Sequence, residues 1–274
     1  MKRFIFASCL ALGLAGCQTS APLNEGEPRV FNFSALVVEQ LPMSRAALKD
    51  ACTVLNYYRY TGGVQTGSKC ITSSDEGFGT FTDEIPWGTH NLYFIGHRSE
   101  VTAFTNGVAT FDKVSDTFTH YLSLTVDENT NTNQIITLVR RVAKFELQTK
   151  DPLPENLASV DIEITGGSMS VDVASGIGGE ASVQNKTISV PATNLGKQNC
   201  TFASYLFLPE GVTSVDIMVT AKDADGEEIV CVEFEDVEVK ANVITRYKGR
   251  IFGVLAEVEL VVDTDWEDEK EVEF

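Results

Sequence analysis

Apolar residues recur at every second position along most of this chain, in runs too short and too evenly spaced for helices. Phe31, Phe33, Ala35 and Val37 alternate with Asn32, Ser34 and Leu36, which predicts a strand with one buried face beginning near Arg29. Strand-like runs follow at 53–60, 79–85, 90–96, 107–111 and 118–126. Thr61-Gly62-Gly63, Pro86-Trp87-Gly88 and Asp127-Glu128-Asn129 separate them as turns. Only 44–51, with Ser44 as its cap, suggests a turn or two of helix. Short strands at this spacing, with no sustained period of 3.6, predict an antiparallel β-sandwich.

The stretch 135–147 departs from simple alternation. Its odd positions are mostly apolar throughout, at Ile135, Val139, Ala143, Phe145 and Leu147, whereas its even positions pass from Ile136, Leu138 and Val142 to Lys144 and Glu146. A strand buried on both faces at first and on one face later would leave one sandwich and enter another, so the domain boundary falls near Arg140 and Arg141. Alternation resumes beyond it, from Val160, Ile162 and Ile164 to Val258, Leu260 and Val262, with Asp225-Gly226 placed as a hairpin turn. The expected fold is all-β, with two tandem antiparallel β-sandwich domains at 29–140 and 141–274.

The N-terminus changes the setting. Lys2 and Arg3 precede an apolar run over 4–14 and the small residues Ala15 and Gly16 before Cys17, the layout of a cleaved secretory signal. Leu14-Ala15-Gly16-Cys17 also resembles a bacterial lipobox, which places cleavage between Gly16 and Cys17 and a diacylglycerol thioether on Cys17. Residues 1–16 would then be the signal peptide and 17–28, polar and without period, a lipid-anchored tether. The apolar run is about half of the roughly 20 residues a membrane-crossing helix needs, so the membrane is a partner through lipid. The other reading is an ordinary secreted protein whose signal contains a cysteine.

Composition narrows the partners. The 274 residues carry 21 Lys+Arg against 39 Asp+Glu, a net charge of -18, and a phosphate backbone would be repelled, which excludes nucleic acid as a partner. With Cys9 in the signal and Cys17 acylated, Cys52, Cys70, Cys200 and Cys231 remain. An exported chain meets an oxidising compartment, and the simplest of three pairings is local, Cys52 with Cys70 and Cys200 with Cys231, free buried thiols being the alternative.

Candidate chemistry is sparse. His90 and His97 stand seven apart on one predicted strand and face opposite ways, which argues against a shared metal and for histidines held by hydrogen bonds or solvent. Asp127-x-Asn129-x-Asn131 starts like a calcium loop, but Thr132 and Leu138 occupy the positions that need glycine and a bidentate glutamate. The acidic run 263–271 reads as a solvated terminus. Gly176-x-Gly178-x-x-Ala181 superficially fits a dinucleotide fingerprint, yet the segment after it reads as strand where a helix is required. No nucleophile elbow, zinc-binding His pair or phosphate loop occurs, so no catalytic residue, metal or cofactor is expected. Tyr57, Tyr58, Tyr60, Trp87 and Tyr93 are candidate stacking faces for a surface glycan or host ligand, although alternation sends part of the set into the core.

Several phrases resemble a known family. Phe78-Gly79-Thr80 with Pro86-Trp87-Gly88-Thr89-His90, the junction 138–146 reading Leu-Val-Arg-Arg-Val-Ala-Lys-Phe-Glu, and 242–252 reading Asn-Val-Ile-Thr-Arg-Tyr-Lys-Gly-Arg-Ile-Phe are similar to the fimbrillin-like lipoproteins of Bacteroidales, in particular the FimB-like minor or anchor subunits. The resemblance implies two transthyretin-like sandwiches, an outer-membrane or cell-surface lipoprotein, and a structural part in fimbrial anchoring, assembly and adhesion through strand pairing with other fimbrial subunits. In stalk subunits of that family the first strand is cut away after an Arg or Lys. Arg45 and Arg59 are the conceivable cutting points here, or simply solvent-facing arginines. An anchor would keep the strand.

Overall fold

A computed structural model of the chain describes residues 26–37, 45–253 and 257–263. Gly16, Cys17, the signal, most of the tether and the acidic run beyond Asp263 lie outside the described residues. The first half supplies β1 (Arg29–Val37), α1 (Arg45–Ala51), β2 (Val54–Thr61), β3 (Val64–Thr72), β4 (Thr80–Ile85), β5 (Gly88–His97), β6 (Val101–Thr105), β7 (Val108–Phe111), β8 (Phe118–Val126) and β9 (Asn133–Arg140). The second half supplies β10 (Ala143–Thr149), β11 (Ser159–Thr165), β12 (Ser170–Asp172), β13 (Gln184–Ser189), β14 (Cys200–Leu206), β15 (Ser214–Lys222), β16 (Glu228–Glu238), β17 (Ile244–Arg250) and β18 (Glu257–Asp263).

The chain is all-β, as its alternation predicts. In the first half, one seven-stranded sheet runs β3-β2-β5-β8-β9-β1-β4. Its β8–β9 pairing holds only around Phe118 opposite Arg140 and Thr119 opposite Val139, so the sheet splays there. Its two leaves share one core: Phe31 and Phe33 from β1, Leu55 and Tyr57 from β2, Leu92 and Phe94 from β5, and Ile136 and Leu138 from β9. The second half is a sandwich of β14-β10-β17-β18 against β13-β11-β15-β16, filled by Phe145, Leu147, Ile162, Ile164, Ile217 and Val219 among others.

Two details differ from the expectation. Pairing is not purely antiparallel: β1 lies parallel to β9, and β10 lies parallel to β17. In each half a strand from the start of that half is thus laid between one parallel and one antiparallel neighbour. The stretch 135–147 is also buried in the reverse sense. Along β9 only Ile136, Leu138 and Arg140 point inward, while Ile135 and Val139 are 69% and 40% exposed. Along β10 both faces are covered, and even Glu146 is buried, because Lys144 and Arg246 both pair with its carboxylate.

A fourth sheet, β12-β7-β6, joins the halves. Ser170 opposite Thr110 and Asp172 opposite Val108 pair a strand of the second half with a hairpin of the first. Beneath it Ile95, Ala109, Phe111, Val142, Val171, Val173 and Phe207 form a buried cluster of their own.

Candidate functional site

The N-terminal strand is built into the first half rather than laid on it. Gly26 rests against the indole of Trp87, where any side chain would collide with the ring, and three residues later β1 begins. Asn32 to Val37 register with Asn133 to Leu138 of β9, and Arg29 to Ser34 with Ile85 to Thr80 of β4. Phe31, Phe33, Ala35 and Val37 are all buried. The Phe33 ring lies 5.0 Å from Phe81, 5.5 Å from Phe94 and 5.7 Å from Tyr57 between centroids. Because β4 ends the sheet next to β1, its backbone ladder runs to β1 alone.

Arg59 fills the gap between the two edges of that sheet. Its guanidinium donates to the Asp83 carboxylate at 2.9 Å and the Glu84 carbonyl at 2.7 Å on β4, and to the Thr66 hydroxyl and carbonyl at 3.3 and 3.2 Å on β3. The Tyr57 hydroxyl donates to the same carboxylate at 3.0 Å, and burial first, then Asp83, keep that phenol protonated by raising its pKa. Arg59 is 8% exposed, so it is neither a solvent-facing arginine nor an open cutting point. Arg45 is the first residue of α1, between β1 and the body of the fold.

At the end of β9 the chain passes through a buried latch. Arg140 forks onto Asp116 at 2.7 and 3.0 Å, donates to Asn242 Oδ1 at 3.2 Å and lies 4.6 Å above the Phe118 ring. The Asn242 amide donates to the Val142 carbonyl at 2.8 Å. Arg141 donates to Thr119 Oγ1 at 2.9 Å and packs beneath Gly176, where a side chain would strike it. The first sandwich is tied to the second at the point where the connecting strand leaves it.

The aromatic candidates divide. Tyr57 is core, and the face of Trp87 is met by Gly26. Tyr58, Tyr93 and Tyr121 stand in register across β2, β5 and β8 on the outer face of the sheet. Tyr121 and Tyr93 are 5.2 Å apart between centroids, Tyr60 meets Tyr93 edge-on at 5.7 Å, and Phe104 of β6 stacks on Tyr58 at 3.9 Å. The Tyr121 hydroxyl donates to Asn91 at 2.9 Å. Sequence reasoning missed Tyr121 and Phe104. Tyr121 could have been found by carrying the alternation of β5 across to β8, but Phe104 reaches the group only because its hairpin folds over the sheet.

The other expected positions resolve plainly. The four cysteines are free thiols, not two local disulfides. Cys70 registers with Asn56, four positions along from Cys52, and Cys231 registers with Thr220 in one sheet while Cys200 opens β14 in the other. Burial pushes the Cys52 thiol up to about 12, which makes it a core filler and not a nucleophile. His90 is bonded to Thr61 and to the Pro86 carbonyl, both at 2.8 Å, and His120 to the Thr137 carbonyl at 2.9 Å. His97 is bonded to Asn56 at 3.0 Å, and burial pulls its pKa down to about 4. Asp127 closes a polar turn by accepting from the Asn129 amide and the Thr130 hydroxyl. Among the described residues no group of three metal-ligating side chains converges, and no helix is long and apolar enough to cross a membrane.

These features define a two-sandwich protein whose first strand is an integral part of its core and whose described surfaces offer rings and sheet edges. The profile of a family of unknown function, DUF6562, matches residues 82–274, and the chain belongs to that family. No curated protein matches it. Among solved structures it is similar to a candidate polysaccharide-binding protein (DUF1812) from Bacteroides thetaiotaomicron, with a TM-score of 0.51 at 12% identity over 86% of this chain and 96% of that one. It is also similar to a candidate cell adhesion protein from Bacteroides ovatus, with a TM-score of 0.50 at 14% identity over 88% and 99%. A fimbrial assembly protein from Parabacteroides distasonis superposes with a TM-score of 0.49 at 12% identity over 86% and 99%. The expected sandwich fold is shared with the first two of these structures.

Proposed function

We propose that the protein is a lipid-anchored minor subunit of surface fimbriae, which fixes the fibre to the outer membrane, takes part in adhesion, and acts as a structural component rather than as an enzyme. One observation carries this reading: the parallel pairing of β1 with β9. The tether from Cys17 enters at the N-terminal end of β1, and the second sandwich leaves from the C-terminal end of β9. A pull between membrane and fibre would then act on two parallel strands from opposite ends, in shear. Shear loads every rung of the ladder together, whereas peeling an antiparallel hairpin breaks them one at a time. The Arg140 latch and the β7–β12 pairing would pass the load to the second domain, which we place at 141–274 behind a first at 29–140.

Retention of β1 belongs to this reading. Burying Phe31, Phe33 and Val37 stabilises the fold by about 1.5–3 kcal/mol each, and cutting after Arg45 would remove all three, leave β4 without its neighbour, and sever Cys17 from the body. Other fimbrial subunits would join by strand pairing along an open sheet edge, such as that of β3. The test is a Cys17→Ala variant together with the intact mass of the protein taken from membranes. The expected mass is that of a chain starting at an acylated Cys17, and the variant should release both protein and fimbriae into the medium. A body starting at Ala46, or a variant still held by the membrane, would show the reading to be wrong.

The exposed ring of Tyr121, beside Tyr93, favours a second reading, a surface lipoprotein that holds glycans by ring stacking. Binding on a glycan array that disappears with Tyr121→Ala would favour it. Co-purification with fimbrial proteins and an empty array would favour the first.

A further inference from the structure

One rung of the β14-β10-β17-β18 sheet lies at the junction between the halves. Tyr205 registers with Lys144, Lys144 with Ile244, and Ile244 with Asp263, the last residue of β18. Phe145 and Tyr247 turn towards the core, so Lys144 and Ile244 sit on the opposite, outward face. Ile244 is nevertheless only 5% exposed and belongs to none of the three core clusters, so its cover comes from beyond its own sheet. Cations crowd the same place, in a protein of net charge -18. The Lys144 and Lys186 ammonium groups each lie 5.7 Å from the centre of the Tyr205 ring, and Lys113, from the loop after β7, lines a cleft with Lys186 and Tyr205. Lys144 and Arg246 share the Glu146 carboxylate. Among the described residues neither Lys113 nor Lys186 forms an ion pair, and the one carboxylate lining the cleft is that of Asp112, exposed at its rim.

The chain that follows β18 has the complementary chemistry. Residues 264–274 carry six carboxylates between Asp265 and Glu273 against Lys270 alone, with Trp266, Val272 and Phe274 as their large apolar side chains. The segment also starts in the right place. Neighbouring strands are about 4.8 Å apart, so Asp263 stands about 10 Å from Lys144 and about 14 Å from Tyr205 along their shared rung. An extended chain covers about 3.3–3.6 Å per residue. Trp266 therefore comes within reach of Ile244, Lys144 and Tyr205, and the carboxylates from Glu267 onward come within reach of Lys186 and Lys113.

We propose that segment 264–274 folds back across this rung as a clamp between the halves, with Trp266 over Ile244 and against Lys144 and Tyr205, and with the acidic residues of 267–271 paired to Lys186 and Lys113. Lys113 belongs to the first half, so these pairs fasten the two sandwiches at a further place besides the Arg140 latch and the β7–β12 pairing. The clamp is independent of the fimbrial reading. The test is carbodiimide cross-linking of the full mature chain, which joins a lysine to a carboxylate it touches, followed by mass mapping of the linked peptides. Lys113 and Lys186 should both be joined, within one chain, to a residue of 265–271, whereas Lys69, exposed on β3, should not. The yield should fall at least about threefold in about 1 M salt, where charges are screened beyond about 3 Å, and Trp266→Ala should lower it in the same way. No link to Lys113, links formed only between two chains, Lys69 linked as readily, or a yield indifferent to salt would overturn the proposal.

Discussion

His97 is 1% exposed, edge-on to Phe111 and bonded to Asn56, so its imidazole is buried neutral. Its pKa falls from 6.5 to about 4 in the folded protein. Between those values the unfolded chain binds a proton that the folded one does not, so stability is full above pH 6.5 and declines as pH drops towards 4. The loss should reach about 3 kcal/mol. Urea melts across this range should show a slope in the wild type that His97→Gln reduces, the remainder coming from His90 and His120, whose pKa values burial also lowers. Arg140 tests the latch: with Asp116 left buried and unpaired, Arg140→Ala should destabilise by about 3–5 kcal/mol, and the Arg140→Met, Asp116→Leu double variant should recover most of it. The thiols give a third check. Cys70 and Cys231 are exposed and Cys52 is buried, so a maleimide should label the first two in the native protein and Cys52 only after denaturation, without prior reduction.

At the scale of elements, alternation located most strands because a half-buried strand must place every second side chain in the core. It located β1 from Phe31 to Val37 for that reason, and the expected outcome of Phe33→Ala is a loss of about 3–5 kcal/mol, read by thermal or urea unfolding. Two strands escaped it. β3 is exposed along most of its length, and as a sheet edge it has little core to face, so Val64-Gln65-Thr66-Gly67-Ser68 carries no alternating signal. β6 is similar, since it touches the protein through its hairpin partner and through Phe104. The error over 135–147 has the same origin. Apolar spacing cannot tell an exposed Ile135 from a buried Ile136, and it gives no hint that a glutamate at 146 will be covered once two cations meet it.

At the scale of the molecule, the arrangement of strands sets the mechanical behaviour. Single-molecule pulling between residue 17 and the end of the second sandwich should unfold the first domain at a clearly higher force than pulling across the β2–β3 hairpin, where bonds open in sequence. Equal forces would mean that the parallel pair does not carry the load.

The sequence by itself determined the all-β class, the positions of most strands and the family resemblance, because each depends on local order: alternation, turn residues and contiguous phrases. Only the tertiary structure decided that β1 runs parallel to β9, that Arg59 closes the sheet, that the cysteines stay apart, and that Lys113, Lys186 and Tyr205 share a cleft. Those facts depend on register and on which strands become neighbours. Register is fixed by the packing of side chains far apart in the chain, and no local stretch of sequence contains it.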